Sequence, residues 1–335
     1  MGHNNSIPAG RRLPGRRPLM LMNPLLDAIA ERPDVLRLAC LTPADVDLDA
    51  LRQRFAAWHA VNGGALAYVD SRLDQLLDPF GARPWAKAAL IIAFAPCLDH
   101  ESPLRQLPPA RPGLPAALIA PYALREDYHR TGRRILAEIT AGMTAMTGSD
   151  ATVQCEACVD TRPVLEKLLA EQAGLGRRAP NSLLRIPPWA CQAHLAILFT
   201  SLPLPSLILP PPRDTLCQSC HACLTACPNG ALTASDLDVR LCRAWVANEK
   251  RGPLSPAEQL RLGNSLFGCP FCTMACPDTP PGPPALAVDP AAVLAMTNAT
   301  LKKHIAGTPL QHLGPGQLKR NARAVIENWS RRQHA

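Results

Sequence analysis

The pattern of hydrophobic positions predicts helices and one buried strand in the first half of the chain. Apolar residues recur at helical spacing in LDALRQRFAAWHAVNG (48–63), and its closing glycine is typical of a helix C-cap. AALIIAFAP (88–96) is a short apolar run with β-branched residues, which indicates a buried strand. A proline-rich connection (102–121) then leads to a predicted helix, REDYHRTGRRILAEITAGM (125–143).

A second strand and helix follow. TVQCEACVD (152–160) alternates as a strand does, and PVLEKLLAEQAGLG (163–176) predicts a helix with Pro163 in its first turn and glycines at its end. Because strands and helices mix, we expect the first two-thirds of the chain to form an α/β or α+β domain. The alternation predicts one strand face with Val153, Cys155, Ala157 and Val159, and an opposite face with Gln154, Glu156, Cys158 and Asp160.

Proline-rich segments mark the boundaries between the predicted domains. LPLPSLILPPPRD (202–214) indicates a stiff linker, and another proline-rich stretch from Pro280 onward precedes a helical tail. We therefore predict an α+β fold with four segments, a disordered basic tail (1–22), a mixed α/β domain (23–210), a ferredoxin-like domain (211–280) and a short helical C-terminal segment (281–335).

Composition argues against a membrane protein. The chain is 47% hydrophobic, and no uninterrupted apolar run approaches the roughly 20 residues of a membrane span. Two arginine pairs (11–12 and 16–17) resemble a twin-arginine export signal, but prolines and Asp27 interrupt the apolar patch and no small-residue cleavage site follows. We therefore expect a cytoplasmic protein.

The net charge of +8 is concentrated near the C-terminus, in LKKH (301–304) and LKRNARA (318–324). Such a cluster permits binding of RNA or of an acidic partner, although many charge runs only face solvent. On the RNA interpretation, Lys319, Arg320 and Arg323 bind phosphate.

Thirteen cysteines indicate metal or redox chemistry. CQSCHACLTACP (217–228) has the spacing C-x2-C-x2-C-x3-C-P, and CPFCTMACP (269–277) provides a second group. In bacterial ferredoxins three closely spaced cysteines bind one [4Fe–4S] cluster and the fourth binds its neighbour. That arrangement predicts a first set, Cys217, Cys220, Cys223 and Cys276, and a second set, Cys227, Cys242, Cys269 and Cys272, each holding one cluster.

Structural zinc is the alternative for these cysteines, because C-x2-C pairs also form tetrahedral Cys₄ sites. The run of three cysteines with its following Cys-Pro favours clusters. Of the other cysteines, Cys40, Cys97 and Cys191 are expected to be buried apolar residues. Cys158 shares its predicted strand face with Asp160 and is expected on the wall of a pocket.

The cysteine order and several further motifs resemble the epoxyqueuosine reductase family. PYALREDYHRTGRRIL (121–136) is similar to its R-Y-A-x-G-x-D-Y-H-x-x-x-R segment, and VDTRPVLEKLLAEQAGLG (159–176) to its V-D-T-x-P-V-L-E…A-G-L-G motif. CRAWVANEKRG (242–252) parallels C-I-S-Y-L-T-I-E-x-x-G. Segments 55–96 and 300–329 also resemble the family.

The resemblance implies a cobalamin-dependent enzyme with two [4Fe–4S] clusters that performs the last step of queuosine synthesis on tRNA. That step removes an epoxide oxygen and leaves an alkene. It implies that Asp160 is the general acid, and we expect its pocket to raise its pKa by desolvation. A low-potential electron donor, such as a ferredoxin or flavodoxin, and a monomeric state are also implied. The positions it suggests for cofactor contacts are Tyr122, Asn181, Ser182, Leu184 and Glu249.

Departures from the family motifs leave alternatives open. GLGRRAPN (174–181) replaces G-L-G-W-x-G-K-N, and CPFCTMACPDT (269–279) lacks the Asp, Gln and Trp-Asn of the related motif. One alternative is a corrinoid reductase with another substrate, comparable to the reductive dehalogenases. Another is an electron-transfer protein that has lost the corrinoid. For Asp160 the alternative is a helix N-cap, since a helix is predicted just after it.

Overall fold

The computed structural model describes residues 23–95, 102–147, 152–212, 216–233 and 236–334. The predicted basic tail (1–22) lies outside these ranges. The strands are β1 (Val35–Leu41), β2 (Ala88–Phe94), β3 (Ala117–Ile119), β4 (Cys155–Cys158), β5 (Arg177–Arg178), β6 (Leu184–Arg185), β7 (His194–Thr200), β8 (Ser265–Phe267) and β9 (Leu286–Val288). The helices before residue 215 are α1 (Pro24–Ala30), α2 (Leu48–Asn62), α3 (Ala67–Asp70), α4 (Leu73–Leu77), α5 (Tyr128–Thr147) and α6 (Glu166–Gln172). Those that follow are α7 (Leu216–Ser219), α8 (Ala222–Thr225), α9 (Arg243–Asn248), α10 (Pro256–Leu262), α11 (Phe271–Met274), α12 (Pro290–Ala295), α13 (Asn298–Ile305) and α14 (Gly314–Gln333).

The main sheet has the order β1-β2-β7-β4, and all its neighbouring strands are antiparallel. Every residue of β2 is buried, which confirms the strand predicted at 88–96 from its unbroken apolar run. One face of the sheet packs on a core that includes α6, and the other packs on α1 and α5. Because both faces are covered, the central strand needs apolar side chains in both directions.

The edge strand β4 is shorter than the predicted strand (152–160), and at its end the side chains on both faces are buried. Cys158 and Val159 are both buried, on opposite faces of the sheet, whereas Ala157 is exposed. The expectation that Cys158 lines a pocket beside Asp160 is therefore wrong. The reason is that the chain turns sharply at Asp160, whose φ is 61°.

Helix α6 begins at Glu166 rather than near Pro163. Its N-cap position is Leu165, and no side chain caps its first turn. Asp160 lies outside that turn, so the structure excludes the interpretation of Asp160 as an N-cap. By contrast, α2 ends with Gly63 at its C-cap, as its sequence predicts.

A smaller sheet, β8-β3-β9, joins segments that are distant in sequence. β3 comes from the proline-rich connection, β8 from the cysteine-rich region and β9 from the stretch beyond Pro280. These strands share one hydrophobic core with α12, α13 and α14. Through β8, the cysteine-rich region is therefore anchored to this core.

The predicted linker (202–214) runs along the main sheet in its described part. The backbones of Leu207 and Cys40 exchange two hydrogen bonds of 2.8 and 3.0 Å, and the Leu209 amide donates to the Ala173 carbonyl. Separate α-helices and largely antiparallel sheets confirm the α+β class. Within the described ranges, no helix has the length and apolar character needed to cross a bilayer.

Candidate functional site

Asp160 stands directly after β4, where two donors from the start of α5 reach its carboxylate. The Tyr128 hydroxyl donates to Asp160 Oδ2 at 2.7 Å, and His129 Nε2 lies 3.2 Å from the same oxygen. The backbone amide of Asp160 donates to Glu166 Oε1 at 2.7 Å. Both the carboxylate and the backbone of Asp160 are therefore fixed by neighbouring elements.

His129 is held between two carboxylates. Its Nδ1 lies 2.7 Å from Asp127 Oδ1, on the side of the ring away from Asp160. Burial lowers the pKa of His129, but hydrogen bonds to Asp127 and Asp160 outweigh it and raise the pKa to about 9. His129 therefore carries a proton on both nitrogens at neutral pH and donates to Asp160.

Aromatic stacking fixes the plane of Tyr128. Its ring centroid lies 4.6 Å from that of His194, with the two planes 3° apart, and 4.1 Å from that of His129. Burial lowers the pKa of His194 to about 4, so this ring is neutral. Tyr128 is thus stacked between a charged and a neutral imidazole, with its hydroxyl directed at Asp160.

The pKa of Asp160 is lowered, contrary to the expectation that its pocket raises it. Burial does raise this pKa, but hydrogen bonds from His129 and Tyr128 stabilise the carboxylate more strongly. Burial and the charge of Asp160 instead raise the pKa of Glu166 to about 8. The site therefore combines an ionised Asp160 with two protonated neighbours, His129 and Glu166.

Asp160 lies beside several other polar side chains, and we call the surface that they form the Asp160 cleft. The Asp160 side chain is 59% exposed, and burial by its neighbours nevertheless opposes its ionisation. Lys167 and Glu249 are also exposed, and burial is the largest influence on the pKa of each. Electrostatic interactions join these groups, and the side chains that define the cleft are Asp160, Tyr68, Tyr122, Lys167 and Glu249.

Two of the predicted cofactor contacts, Tyr122 and Glu249, lie in this cleft. Asn248 Nδ2 donates to the Tyr122 hydroxyl at 3.2 Å, and Asn248 Oδ1 accepts from the Gly268 amide at 2.9 Å. Burial raises the pKa of Tyr122, so its hydroxyl stays protonated at neutral pH. Burial also raises the pKa of Glu249, against the opposing charges of His312 and Arg251.

The other three predicted contacts lie on or near the hairpin formed by β5 and β6. Asn181 is buried and contacts Cys191 Sγ at 3.7 Å. Ser182 has a φ of 63°, and its buried hydroxyl has no hydrogen-bond partner within the described part of the chain. The Leu184 side chain packs in the core beneath the main sheet, so only its backbone is available to a ligand. Lys167 of the Asp160 cleft interacts with Cys191, which places the hairpin near that cleft.

The four cysteines of the first set line one pocket, although Cys276 is distant from the other three in sequence. Asn181, Cys191 and Pro277 complete much of its wall, and the first-set cysteines there are Cys217, Cys220, Cys223 and Cys276. The charge of Arg185 opposes the rise in the pKa of Cys217 that burial causes. Arg185 also forms an ion pair with Asp278. The altered motif after Cys276 thus ties this pocket to β6.

The second set also converges. Burial, together with the charges of Cys269, Cys242 and Cys227, raises the pKa of Cys272 to about 12. The same interactions connect Cys269 with Cys242 and Cys227. The charge of Cys242 also raises the pKa of Tyr122, so the second set lies within electrostatic range of the Asp160 cleft.

A further cavity is lined mainly by apolar side chains. This cavity of about 320 Å³ lies beside α2, and its lining includes Asp78, which accepts a hydrogen bond from the Gly81 amide. Among the residues that the structure describes, no three His, Cys, Asp or Glu side chains could hold a single metal ion.

Two of the three predicted phosphate-binding residues make internal contacts. Lys319 Nζ donates to the Met296 carbonyl at 2.6 Å. The Arg320 guanidinium donates to the carbonyls of Val246, Lys250 and Gly252. Arg323 is exposed on α14.

The sequence pattern alone did not identify several residues of the site. Tyr128 and His129 look like ordinary residues of an amphipathic helix, and only their place in the D-Y-H motif points to the site. Glu166 and Asn248 carry no signal by themselves. They are recognised from their contacts with Asp160 and Tyr122.

Comparisons with known proteins agree with this geometry. Residues 216–279 match the family described as a 4Fe-4S double cluster binding domain. Over 216 residues the chain is 32% identical to the epoxyqueuosine reductase of Pseudomonas aeruginosa, covering 64% of this chain and 58% of the relative. Over 237 residues it is 26% identical to that of Bacillus subtilis, covering 70% and 58%. The chain thus spans about six-tenths of the length of these two curated relatives.

A crystal structure of epoxyqueuosine reductase with a tRNA-Tyr epoxyqueuosine-modified stem loop has the same fold. It matches with a TM-score of 0.73 and 21% identity, over 91% of this chain and 79% of that one. The structure from Streptococcus thermophilus matches with a TM-score of 0.72 over 91% of this chain and 80% of that one, at 20% identity. The resemblance predicted from the motifs is therefore confirmed in sequence and in fold.

Proposed function

We propose that this protein is a cobalamin-dependent iron–sulfur reductase that removes the epoxide oxygen of epoxyqueuosine in tRNA. The observation that carries the proposal is the Asp160 cleft, in which an accessible carboxylate with two donors adjoins eight converging cysteines. The similarity to epoxyqueuosine reductases supports this activity over dehalogenation or simple electron transfer.

The cysteine sets fit two [4Fe–4S] clusters. Each cubane takes four thiolates, and four cysteines surround each of the two positions. Because burial raises the pKa of Cys242, Cys269 and Cys272, these thiols are protonated in the absence of metal. They would release their protons when iron binds. The clusters would carry electrons one at a time from a low-potential donor, for which a ferredoxin or a flavodoxin is suited.

The cleft and its neighbouring hairpin fit a large polar cofactor. The buried Ser182 hydroxyl lacks a partner, which a corrinoid side group would supply. Tyr122 and Glu249 offer a hydroxyl donor and a carboxylate on the side of the second set. When bound, cobalamin would supply the low-potential reductant for carbon–oxygen bond cleavage.

The chain's own residues would deliver the proton that the departing oxygen needs. Two electrons and two protons convert an epoxide into an alkene and water. At neutral pH His129 holds a proton 3.2 Å from Asp160 Oδ2, and Asp160 is the member of this pair exposed in the cleft. We therefore assign proton delivery to Asp160. His129 would transfer its proton to Asp160, and Asp127 would orient His129.

The substrate and surroundings follow from the same proposal. The tRNA would present its modified nucleoside to the Asp160 cleft, with its phosphates on exposed cations such as Arg323. The enzyme would act as a monomer in the cytoplasm.

The test uses anaerobically reconstituted protein with cobalamin, a chemical reductant and tRNA that carries epoxyqueuosine. We expect nucleoside mass spectrometry to show loss of one oxygen and formation of queuosine, and a deletion strain to accumulate epoxyqueuosine. Reduced clusters and cobalamin without loss of oxygen would refute the tRNA substrate. A protein that holds clusters but binds no cobalamin would refute the enzyme class.

A further inference from the structure

Arg243 occupies a position next to the second set that the proposed reaction does not explain. It is the first residue of α9 and follows the cluster ligand candidate Cys242 in sequence. Its guanidinium carbon lies 5.5 Å from the centre of the Phe271 ring, which stands between Cys269 and Cys272 in the chain. The side chain therefore packs on the segment that carries two of the second-set cysteines.

The surroundings hold this guanidinium in place. Its Nη1 lies 3.3 Å from Asn264 Oδ1. Gly263 lies against it so closely that a Cβ there would be 2.6 Å from the guanidinium carbon, and the φ of Gly263 is +59°. A side chain at residue 263 would thus displace Arg243 and strain the backbone.

One donor of Arg243 is still available to a ligand. Its Nε is buried, and no acceptor within the described part of the chain bonds it. A buried N–H of a charged group normally has a partner. An inorganic sulfide or a thiolate of a cluster bound here would be such an acceptor.

The charges around Arg243 favour the same interpretation. Arg243 directly follows Cys242 in the chain and packs on Phe271, so its charge lies beside the second set. At the first set, Arg185 is paired with the carboxylate of Asp278, two residues after Cys276. The two sets therefore differ in how much positive charge they receive.

We propose that Arg243 raises the reduction potential of the cluster held by the second set, Cys227, Cys242, Cys269 and Cys272. One electron from the donor reduces [4Fe–4S]²⁺ to [4Fe–4S]⁺, and no other bond forms or breaks. The reduced cluster has one more negative charge, so a fixed cation and a hydrogen bond stabilise it more than the oxidised form.

This inference rests on the two-cluster part of the proposed function, but not on its substrate. The inference concerns a residue in which this chain departs from the related motif C-I-S-Y, which has isoleucine at the position of Arg243. Arg243→Ile therefore introduces the residue that the related motif has at this position.

The experiment is an anaerobic redox titration of the reconstituted protein, followed by electron paramagnetic resonance. We expect Arg243→Ile to make one of the two reduction steps at least tenfold less favourable, which is a shift of about 59 mV for one electron. The affected step should be the one that Cys242→Ser removes. Arg243→Lys keeps the charge but loses the Nε donor, so it should shift the same step less.

Arg332→Gln is the matched control, because Arg332 is an exposed neighbour that acts on Arg243. It should leave both steps unchanged, since solvent screens its charge. Unchanged midpoints in Arg243→Ile, or an equal shift in Arg332→Gln, would overturn the inference without contradicting the proposed function. A protein that takes up no [4Fe–4S] clusters would overturn both this inference and the proposed function.

Discussion

At the scale of single residues, Asp160 combines an unusual backbone conformation with hydrogen bonds to Tyr128, His129 and Glu166. Its φ of 61° is uncommon for a residue with a side chain, although aspartate and asparagine tolerate this region best. The hydrogen bond from its amide to Glu166 helps to hold the turn. Such conformations are often found where a side chain must be presented to a ligand.

Asp160→Asn tests the role of the carboxylate. Asparagine tolerates the same backbone conformation and still accepts hydrogen bonds, so we expect both clusters and cobalamin to bind and to be reduced. Turnover of the epoxide should fall by roughly 10²–10⁴, the usual contribution of a general acid. Single-turnover assays on epoxyqueuosine tRNA measure this.

Asp70→Asn is a suitable control for that experiment, because Asp70 also accepts hydrogen bonds, from the Gly64 amide and from His59. It should keep normal turnover. If Asp160→Asn also turned over at a near-normal rate, another group would have to deliver the proton.

His129 makes the stability of the protein depend on pH in a defined direction. Its pKa is raised from the model-compound value of 6.5 to about 9 in the folded protein. The folded state therefore favours the charged imidazolium. This stabilisation is fully present below pH 6.5 and is lost as the pH rises through 9.

We expect His129→Gln to remove this dependence. The wild-type protein should lose on the order of 1–3 kcal/mol of unfolding free energy between pH 6.5 and 9.5 through this group, and the variant should lose less. Denaturant unfolding at both pH values, under anaerobic conditions, measures the difference. Equal losses in the two proteins would show that folding does not raise the pKa of His129.

At the scale of secondary-structure elements, α14 has a structural role that its basic composition conceals. Arg320 bonds the carbonyls of Val246, Lys250 and Gly252 at and beyond the end of α9. The buried Asn321 donates to the carbonyls of Ala247 and Leu266. α14 therefore fixes the segment that carries Cys242 and Glu249.

Arg320→Ala and Arg323→Ala test this structural role by comparing a bonded and an exposed arginine of α14. Arg320→Ala leaves three carbonyls without their charged donor and should cost about 1.5–3 kcal/mol of stability. Arg323→Ala changes an exposed residue on the same helix and should stay within about 0.5 kcal/mol. Thermal unfolding compares the two, and equal stabilities would contradict the structural role of Arg320.

Elements with a strong local pattern could be predicted from the sequence, and short elements could not. α2 and β2 have a clear period or an unbroken apolar run, and both lie where predicted. β3 and β9 are three residues long and lie within proline-rich segments, so their pairing depends on distant partners. The start of α6 was placed too early because Pro163 suits a first turn, whereas the core instead holds Val164 in a non-helical segment.

At the scale of the whole molecule, the cleft is assembled from segments that no local pattern connects. Tyr68 comes from α3, Asp160 from the turn after β4 and Glu249 from the end of α9. Their proximity depends on the packing of the main sheet against the cysteine-rich region. Cysteine spacing, by contrast, reports ligand chemistry directly, so the two sets could be proposed from the sequence alone.

The crossed arrangement of the two sets makes the sharpest prediction at this scale. Cys276 follows Cys269 and Cys272 closely in sequence, but it lines the pocket of Cys217, Cys220 and Cys223. Cys276→Ser should therefore damage the cluster of the first set and spare that of the second. Anaerobic reconstitution should give about eight irons in the wild type and a loss confined to one spectroscopic signal in the variant.

Cys191→Ser provides the matched control, because Cys191 lines the same pocket without being one of the proposed ligands. It contacts Asn181, and burial raises its thiol pKa to about 12. This variant should keep all its iron and both signals. Damage to the second-set cluster in Cys276→Ser would refute the crossed arrangement, and stoichiometric zinc without iron would refute the clusters themselves.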